Sequence, residues 1–519
     1  MSEQELKLHV PKRSRVGVSR ALQRGAVTNI RLRAQYFDTP QSDLAKAGVA
    51  LRLRLEGRRW VQTLKMPGEH ALEKLELNQT RPNATLDLTV YAGTPAERII
   101  KKHGNSLGVK YETDVRRLFR KIRTPSGVVE VALDQGHVQA SSLKLPISEV
   151  EFELVSGHPR AIFLLGLKWL DAHELILDLR SKAERGSALA ELAQRLENFG
   201  DLDDSATKAA RAKAVASFWA PTGSSSVTLK KNMSLEQGLQ AVTRECLEQI
   251  ARNAAIVAEI DTAGLYQAAS PEHIHQLRVG IRRLRSAWSL FQKITPLPPQ
   301  DWRDELKVHF AALGTARDDD VLRDTVMPEL NAAGQPPVAF TANVVADGSA
   351  TLTASPAFQR WLVELLAWNI GAHPLQAEST TGEASAKVKS GDLSVALRKQ
   401  LFKLHNRVLT DGLKFDSLHI EAKHDLRKRA KRLRYGLQFA EALLPAKRLK
   451  NYRAYLAKIQ DILGEMNDLY VAREKFEGIR EDQPPAWFAV GWIASRLEVL
   501  GAQAKKAFVG LKQADHFWD

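Results

Sequence analysis

Three glutamates, Glu149, Glu151 and Glu153, stand two residues apart in Ile147-Ser-Glu-Val-Glu-Phe-Glu-Leu154. In extended backbone successive side chains point to opposite faces, so this spacing puts three carboxylates on one face and Val150, Phe152 and Leu154 on the other. Carboxylates gathered in this way can hold a hard divalent cation. The solvated face of an antiparallel sheet explains a single such strand equally well. Only repetition separates the two.

The pattern does repeat. Glu3-Gln-Glu-Leu-Lys-Leu8 sets Glu3, Glu5 and Lys7 against Leu6 and Leu8, and Leu51-Arg-Leu-Arg-Leu55 sets Arg52 and Arg54 against leucines. Gly57 turns that strand into Trp60–Met66, which carries Lys65 near its end. Glu73–Asn78 offers Lys74 and Glu76 opposite Leu75 and Leu77, and Val128–Gly136 offers Glu130 and Asp134 opposite Val129, Val131 and Leu133. A strand between Tyr111 and Ile122 adds Asp114, Arg116 and Arg117, with a period too irregular to say which arginine faces which way. Asn29–Asp38 reads as a strand running into the turn Asp38-Thr39-Pro40.

Six or more strands with acids and bases on one face and aliphatics on the other need cover for the aliphatics and partners for the charges. Helical patterns at Arg160–Leu170 and Ser187–Leu196 are available as cover. If the strands close into a barrel with helices outside, the charged faces line the lumen. A buried lumen of that kind is costly unless acids, bases, metal and ligand neutralise one another. Its natural occupant is a metal-bound polyanion, with carboxylates for the cation and Lys/Arg for phosphate oxygens.

Composition agrees. The chain has 519 residues, enough for two or three domains, and a formal charge of +15, which favours polyanionic partners. Cys246 is the only cysteine, which excludes an intrachain disulfide and a multi-cysteine zinc site. The acidic amino terminus lacks the apolar core of a signal peptide, and no apolar run is long enough to span a bilayer. A cytoplasmic protein with no membrane partner is expected.

Taken in order, Glu3-x-Glu5-x-Lys7, Tyr36-Phe-Asp-Thr-Pro40, Leu51-Arg-Leu-Arg54, Gln62-Thr-Leu-Lys65, Ala132-Leu-Asp-Gln-Gly136, Ile147–Leu154 and Ser181-Lys-Ala-Glu-Arg-Gly186 resemble the CYTH family of triphosphate tunnel metalloenzymes. The resemblance covers residues 1–200. It implies an α+β domain built on an eight-stranded antiparallel tunnel with outer helices, which hydrolyses a triphosphate with Mg²⁺ or Mn²⁺. By position it assigns Glu3, Glu5, Asp134, Glu149, Glu151 and Glu153 to metal, with Glu3, Glu5 and Lys7 as the catalytic group. Lys7, Arg52, Arg54, Lys65, Arg117 and Lys182 would grip phosphate, and Glu76 and Glu130 would stand in the substrate-binding wall. Lys74 departs from the family pattern, in which related sequences often have Arg, and so trades a bidentate contact for a point charge.

Residues 201–227 read as a linker ending in Pro221-Thr-Gly-Ser-Ser-Ser226, after which the period becomes helical. Helices are expected over 235–260, 273–294, 302–313, 358–370, 393–411, 424–443, 448–463 and 486–511. Irregular stretches are expected at Asn331–Pro356 and Gly371–Gly391. An internal repeat organises this half: His275, Arg278, Arg282 and Arg285 recur as His424, Arg427, Lys431 and Arg434. A second matched pair is Leu313-Gly-Thr-Ala-Arg-Asp318 and Leu463-Gly-Glu-Met-Asn-Asp468. At about 100° per residue each histidine–arginine set forms one stripe beside an apolar face. One such stripe is well explained as a solvated face, and a second copy with the histidine included weakens that explanation.

This pattern resembles the CHAD family, over residues 228–515, and implies an all-α domain of two pseudo-symmetric four-helix bundles that binds long-chain inorganic polyphosphate. Phosphate contact is preferred to metal ligation for His275 and His424, because the neighbouring cations would repel a metal. The combined expectation is a metal-dependent inorganic triphosphatase that acts on inorganic triphosphate and sits at polyphosphate granules. The alternatives are an adenylyl cyclase or other organic-triphosphate hydrolase, and a non-catalytic polyphosphate-binding protein. Few aromatics interleave the basic stripes, which weighs against nucleic acid; the pattern specifies no oligomeric state.

Overall fold

The computed structural model describes residues 2–68, 72–199, 204–258, 260, 270–313, 322–339, 348–373 and 392–518. The chain forms two compact units, one of Met1–Thr222, Glu248–Leu277 and Ser349–Ala384, the other of Gly223–Leu247, Arg278–Gly348 and Ser385–Asp519.

The first unit is built on strands β1 (Ser2–His9), β2 (Thr28–Asp38), β3 (Ala50–Glu56), β4 (Arg59–Pro67), β5 (Glu73–Arg81), β6 (Gly108–Thr124), β7 (Gly127–Ala140), β8 (Leu143–Gly157) and the short β9 (Ile176–Leu177). They run in the order β5-β4-β3-β2-β6-β7-β8-β1, and a β1–β5 pairing closes the ring. Every pairing is antiparallel, and β1 is the seam. Its Ser2–Gln4 pair with β5, its Glu5–His9 with β8, and its Leu8 and His9 also with β9. Closure removes the exposed sheet edges.

Alternation sorts the two faces as the sequence implies. Leu6, Leu8, Val131, Leu133, Val150 and Phe152 point outward and are fully buried, under the Arg160–His173 helix that packs on β1, β7 and β8. Phe152 meets Trp169 edge-on at 5.8 Å. On the β3–β4 side, Leu51 and Leu64 pack with Tyr91, Ala96 and Ile100.

The Lys182–Glu197 helix behaves differently from the outer cover expected for Ser187–Leu196. It packs on Tyr36, Tyr111, Val115, Val138, Ala140, Leu145 and Ile147, which share the alternation face of the charged residues. One end of the lumen is therefore apolar and plugged by this helix, and the other end is charged. Gly186 permits the approach, because a Cβ there would lie 2.1 Å from the Tyr111 ring. Tyr111 Oη donates to the Ala183 carbonyl at 3.0 Å and pins the first turn. Within the stretch read as a linker, Ser205–Ala216 is helical, and Ala214, Phe218 and Trp219 join the same apolar cluster.

The second unit is helical. Its long helices are Leu393–Leu413, Ile420–Phe439, Ala446–Ile479 and Ala486–Lys512, with the parts of Leu235–Val257 and Pro271–Phe291 that belong to it. The helix expected to end at Leu463 continues to Ile479. Gly464 does not break it: a glycine inside a helix costs only about 1 kcal/mol, which the buried Leu463, Met466 and Leu469 offset. Within the expected irregular stretch at Asn331–Pro356, Ser349–Ala354 is helical. The first copy of the second repeat element, from Gly314 to Asp318, and most of Gly371–Gly391 lie outside the described residues.

Candidate active site and basic ridges

Among the described residues, Asp134 on β7 and Glu149 and Glu151 on β8 form an acidic group, each with a carboxylate oxygen within 4.8 Å of the others. Register brings them together, since Asp134 pairs with Glu149 and Ala132 with Glu151 across β7–β8. Gly136 lets the β6 backbone close in beside them, because a Cβ there would lie 2.0 Å from the Asp114 carbonyl. Three clustered carboxylates fit a hard divalent cation in donor type.

Cations interlock with this group. Lys182 Nζ donates to Glu151 at 2.7 Å and lies 2.6 Å from Asp134 and 2.5 Å from Glu149. Arg117 donates twice to Asp134, both at 2.7 Å, and reaches Glu151 at 2.5 Å. Arg185 donates to Glu149. The carboxyls of Asp134 and Glu151 are held below the usual range although burial pushes them up, because Arg117 and Lys182 outweigh it. Arg117, not Arg116, faces this group; Arg116 is exposed and donates to Asn29 at 3.1 Å.

A second set lies toward β1, β4 and β5. Lys65 Nζ is 2.5 Å from Glu3 and 3.4 Å from Glu76, Arg52 is 3.8 Å from Glu76, and Lys74 is 3.3 Å from Glu5. Burial pushes the Glu3 carboxyl up to about 8 against the pull of Lys65, with Glu5 and Glu76 adding to it. Burial would also raise Glu76, yet Lys65, the proton it accepts from Glu3, and Arg52 hold it at about 2. Glu3 and Glu76 thus divide one proton unequally. Arg52 also donates to Tyr36 Oη at 3.3 Å, and Arg54 turns to Glu56 at 2.7 Å.

Lys7 donates to the Arg180 carbonyl, and burial pushes its ammonium down to about 8, with Arg185 and Lys74 opposing the pull of Glu149 and Asp178. Glu153 faces Glu130 and Glu5 across its two neighbouring strands. Its carboxyl rises to about 7, through burial and then those two acids. Glu3, Glu5 and Glu153 therefore share the lumen with the Asp134–Glu149–Glu151 group without being part of it.

In the helical unit, Arg282 of the first basic stripe acts on both Arg427 and Lys431 of the second, so the two stripes approach each other at Arg282. Burial pushes the Lys431 ammonium down to about 7, and Arg427, Arg282 and Arg434 add to it against Asp468. Arg278 donates to the Leu313 carbonyl and lies over the Phe310 ring at 5.0 Å; Arg285 lies over the same ring at 5.6 Å. His424 Nδ1 is 3.2 Å from the Asn467 side-chain oxygen, and Arg434 lies over Tyr435 at 5.0 Å. The two matched elements of the second repeat copy thus touch. His275 stands on the Pro271–Phe291 helix one turn before Arg278.

Family models match at both ends of the chain, the CYTH domain over residues 1–187 and the CHAD domain over residues 241–477. The chain carries a CYTH domain followed by a CHAD domain. It is 28% identical over 197 residues to a protein of Haemophilus influenzae described as an inorganic triphosphatase, a match covering 36% of this chain and 55% of that protein. It is 30% identical over 218 residues to the uncharacterized protein Rv2226 of Mycobacterium tuberculosis, covering 40% of each. The matches thus span about half, or less, of these curated relatives' lengths. The crystal structure of the CHAD domain from the plant Ricinus communis aligns at 30% identity and a TM-score of 0.45, over 56% of this chain and 96% of that one.

The CYTH domain uses residues that motif reading passes over. Arg185 lies within the Ser181–Gly186 motif, three residues after Lys182, and that spacing alone places both on one helix face. Lys74 contacts Glu5 despite its departure from the family pattern. Other motif residues are structural. Asp38 accepts from the amides of Thr39, Leu44 and Ala45, and Gln62 donates to Tyr91 Oη at 2.9 Å on the outer face. In the CHAD domain, Arg283 is fully buried and paired with Glu245 at 2.6 Å, a core ion pair beside the stripe. Among the described residues no helix is long and apolar enough to cross a membrane.

Proposed function

We propose that the CYTH domain hydrolyses inorganic triphosphate to pyrophosphate and phosphate with Mg²⁺ or Mn²⁺, and that the CHAD domain binds long-chain polyphosphate. The observation that carries the first part is the pairing of acids and bases inside one lumen: a carboxylate triad for a cation, interlocked with Arg117, Lys182 and Arg185, and Lys7, Arg52 and Lys65 elsewhere in the same lumen, for phosphate oxygens. A divalent cation on Asp134, Glu149 and Glu151 would neutralise phosphate charge and make water a better nucleophile. The protein's own work is positioning. Lys65, Arg117, Lys182 and Arg185 each exchange a carboxylate for a phosphate oxygen, which fixes the chain while water attacks the terminal phosphorus in line with the bridging oxygen. The P–O bond breaks toward pyrophosphate, and no side-chain nucleophile is required.

An inorganic substrate is favoured over a nucleotide because the apolar end of the lumen is filled by the Lys182–Glu197 helix, with Tyr36 and Tyr111 stacked on each other at 4.7 Å rather than offered to a base. For the CHAD domain, the carrying observation is the confrontation of Arg282 with Arg427 and Lys431, a concentration of positive charge suited to a polyanion. Attachment to polyphosphate granules follows as part of this reading. Initial rates on pyrophosphate, tripolyphosphate, long-chain polyphosphate, ATP and thiamine triphosphate test it. Tripolyphosphate should lead the panel, and a preference for ATP with cyclic nucleotide as product would replace the reading with that of a cyclase.

A further inference from the structure

A cavity of about 490 Å³ in the helical unit lies apart from the Arg427–Lys431–Arg434 stripe. Its walls come from the carboxyl-terminal end of the Pro271–Phe291 helix and the residues just after it, from Leu393–Leu413 and from the Asp425–Arg432 part of Ile420–Phe439. Among the described residues six cations line it, Lys293, Lys403, Arg407, Lys428, Arg429 and Arg432, with Asp425 the one acid. Lys428 is held by Asp425 at 3.1 Å and Arg429 by Asp411 at 2.9 Å. Lys293, Lys403 and Arg407 form no ion pair with a carboxylate among the described residues, and Arg432 feels Asp425 only at longer range. On Ile420–Phe439 the cavity residues sit roughly a third of a turn round the helix from the stripe. The two regions come close at one point, where Arg432 acts on Arg285.

Clustered cations that outnumber their counterions repel one another and focus a positive potential into the concavity, which an anion relieves. The remaining polar lining, Ser286, Ser289, Gln292 and Gln400, supplies hydroxyl and amide donors. Among the described residues no aromatic lines the cavity, and none offers a platform on which a nucleobase would stack. Its volume falls in the range of sites that enclose small molecules. We propose that this cavity is a separate site for a short inorganic phosphate chain, or for the terminal phosphates of a long one. The long-chain form of the proposal rests on the reading of the CHAD domain as a polyphosphate binder; the short-chain form does not.

Lysine acetylation of the intact protein, read by mass spectrometry in the presence of chelator, tests it, since Lys293 and Lys403 are both exposed. Tripolyphosphate at ten times its dissociation constant should slow acetylation of both lysines by about tenfold, because the free fraction falls as 1 + [L]/Kd. That protection should persist in an Arg282→Glu/Arg427→Glu variant and disappear in Arg407→Glu, whose site is an exposed helix surface and tolerant of substitution. Unchanged acetylation with tripolyphosphate, equal protection by sulfate at matched ionic strength, or loss of protection in the stripe variant would each overturn the proposal. A stripe variant that binds long-chain polyphosphate as tightly as the unaltered protein, with Lys403 still protected, would instead sink the stripe reading and leave the cavity standing.

Discussion

The two basic regions of this chain solve opposite electrostatic problems. In the barrel most cations of the site touch a carboxylate: Lys182 and Arg117 the Asp134–Glu149–Glu151 group, Lys65 Glu3 and Glu76, Lys74 Glu5, while Lys7 is held by the Arg180 carbonyl. In the helical unit, cations confront cations, Arg282 against Arg427 and Lys431, with Asp468 as the nearby acid. A lumen that carries its own counterions is stable without ligand, so its charges can be buried and its geometry fixed. A like-charged ridge must stay hydrated and gains most when a polyanion arrives. The first arrangement suits chemistry on a small, well-placed anion. The second suits reversible holding of a long one.

The sharpest way to break this contrast is to remove a lumen acid. Glu151→Gln should cut phosphate release from tripolyphosphate by about 10²–10³-fold, the usual cost of losing one preorganised electrostatic partner, while long-chain polyphosphate binding stays unchanged as evidence that the chain folds. On the other side, Arg282→Ala with Arg427→Ala should weaken long-chain polyphosphate binding by about tenfold per arginine and lower the slope of log K against log salt by about 2, without changing the hydrolysis rate. Equal loss of both activities in either variant would mean that the two regions are not independent.

Smaller effects sharpen the picture. Gly186→Val forces a side chain against Tyr111 and should destabilise the barrel unit by about 1–3 kcal/mol, read from the denaturant midpoint. Lys431 titrates near 7 with Arg427, Arg282, Arg434 and Asp468 facing it, and it is charged below that pH. Polyphosphate affinity should therefore fall as pH rises through about 7, and Lys431→Arg should flatten the profile; a profile flat from the start would contradict the crowding inferred at that stripe.

Much of the barrel was legible in the chain because a repeated period of two leaves few ways to hide both faces. Acids and bases at Glu3, Glu5, Lys7, Arg52, Lys65, Asp134, Glu149 and Glu151 could only converge if the strands closed. What periodicity could not convey was which wall an apolar helix would meet. The Ser187–Leu196 pattern reads the same whether the helix covers the barrel or plugs it, and Gly186 acquires meaning only once Tyr111 is opposite. The irregular period of β6 hid the opposite roles of Arg116 and Arg117, since Asp114 pairs outward with Arg31 on the exposed face. In the helical half the repeat located both stripes, but the cavity draws Lys403 and Arg407 from a helix outside the repeated motif.

The central claim is that the lumen is a metal-dependent triphosphatase, and the most direct test is phosphate release from tripolyphosphate by the purified protein with Mg²⁺ or Mn²⁺, with chelator, and with Glu5→Ala. Release that requires the metal, stops with chelator and collapses in the variant is the predicted result. A metal-replete protein that binds tripolyphosphate but releases no phosphate would contradict it.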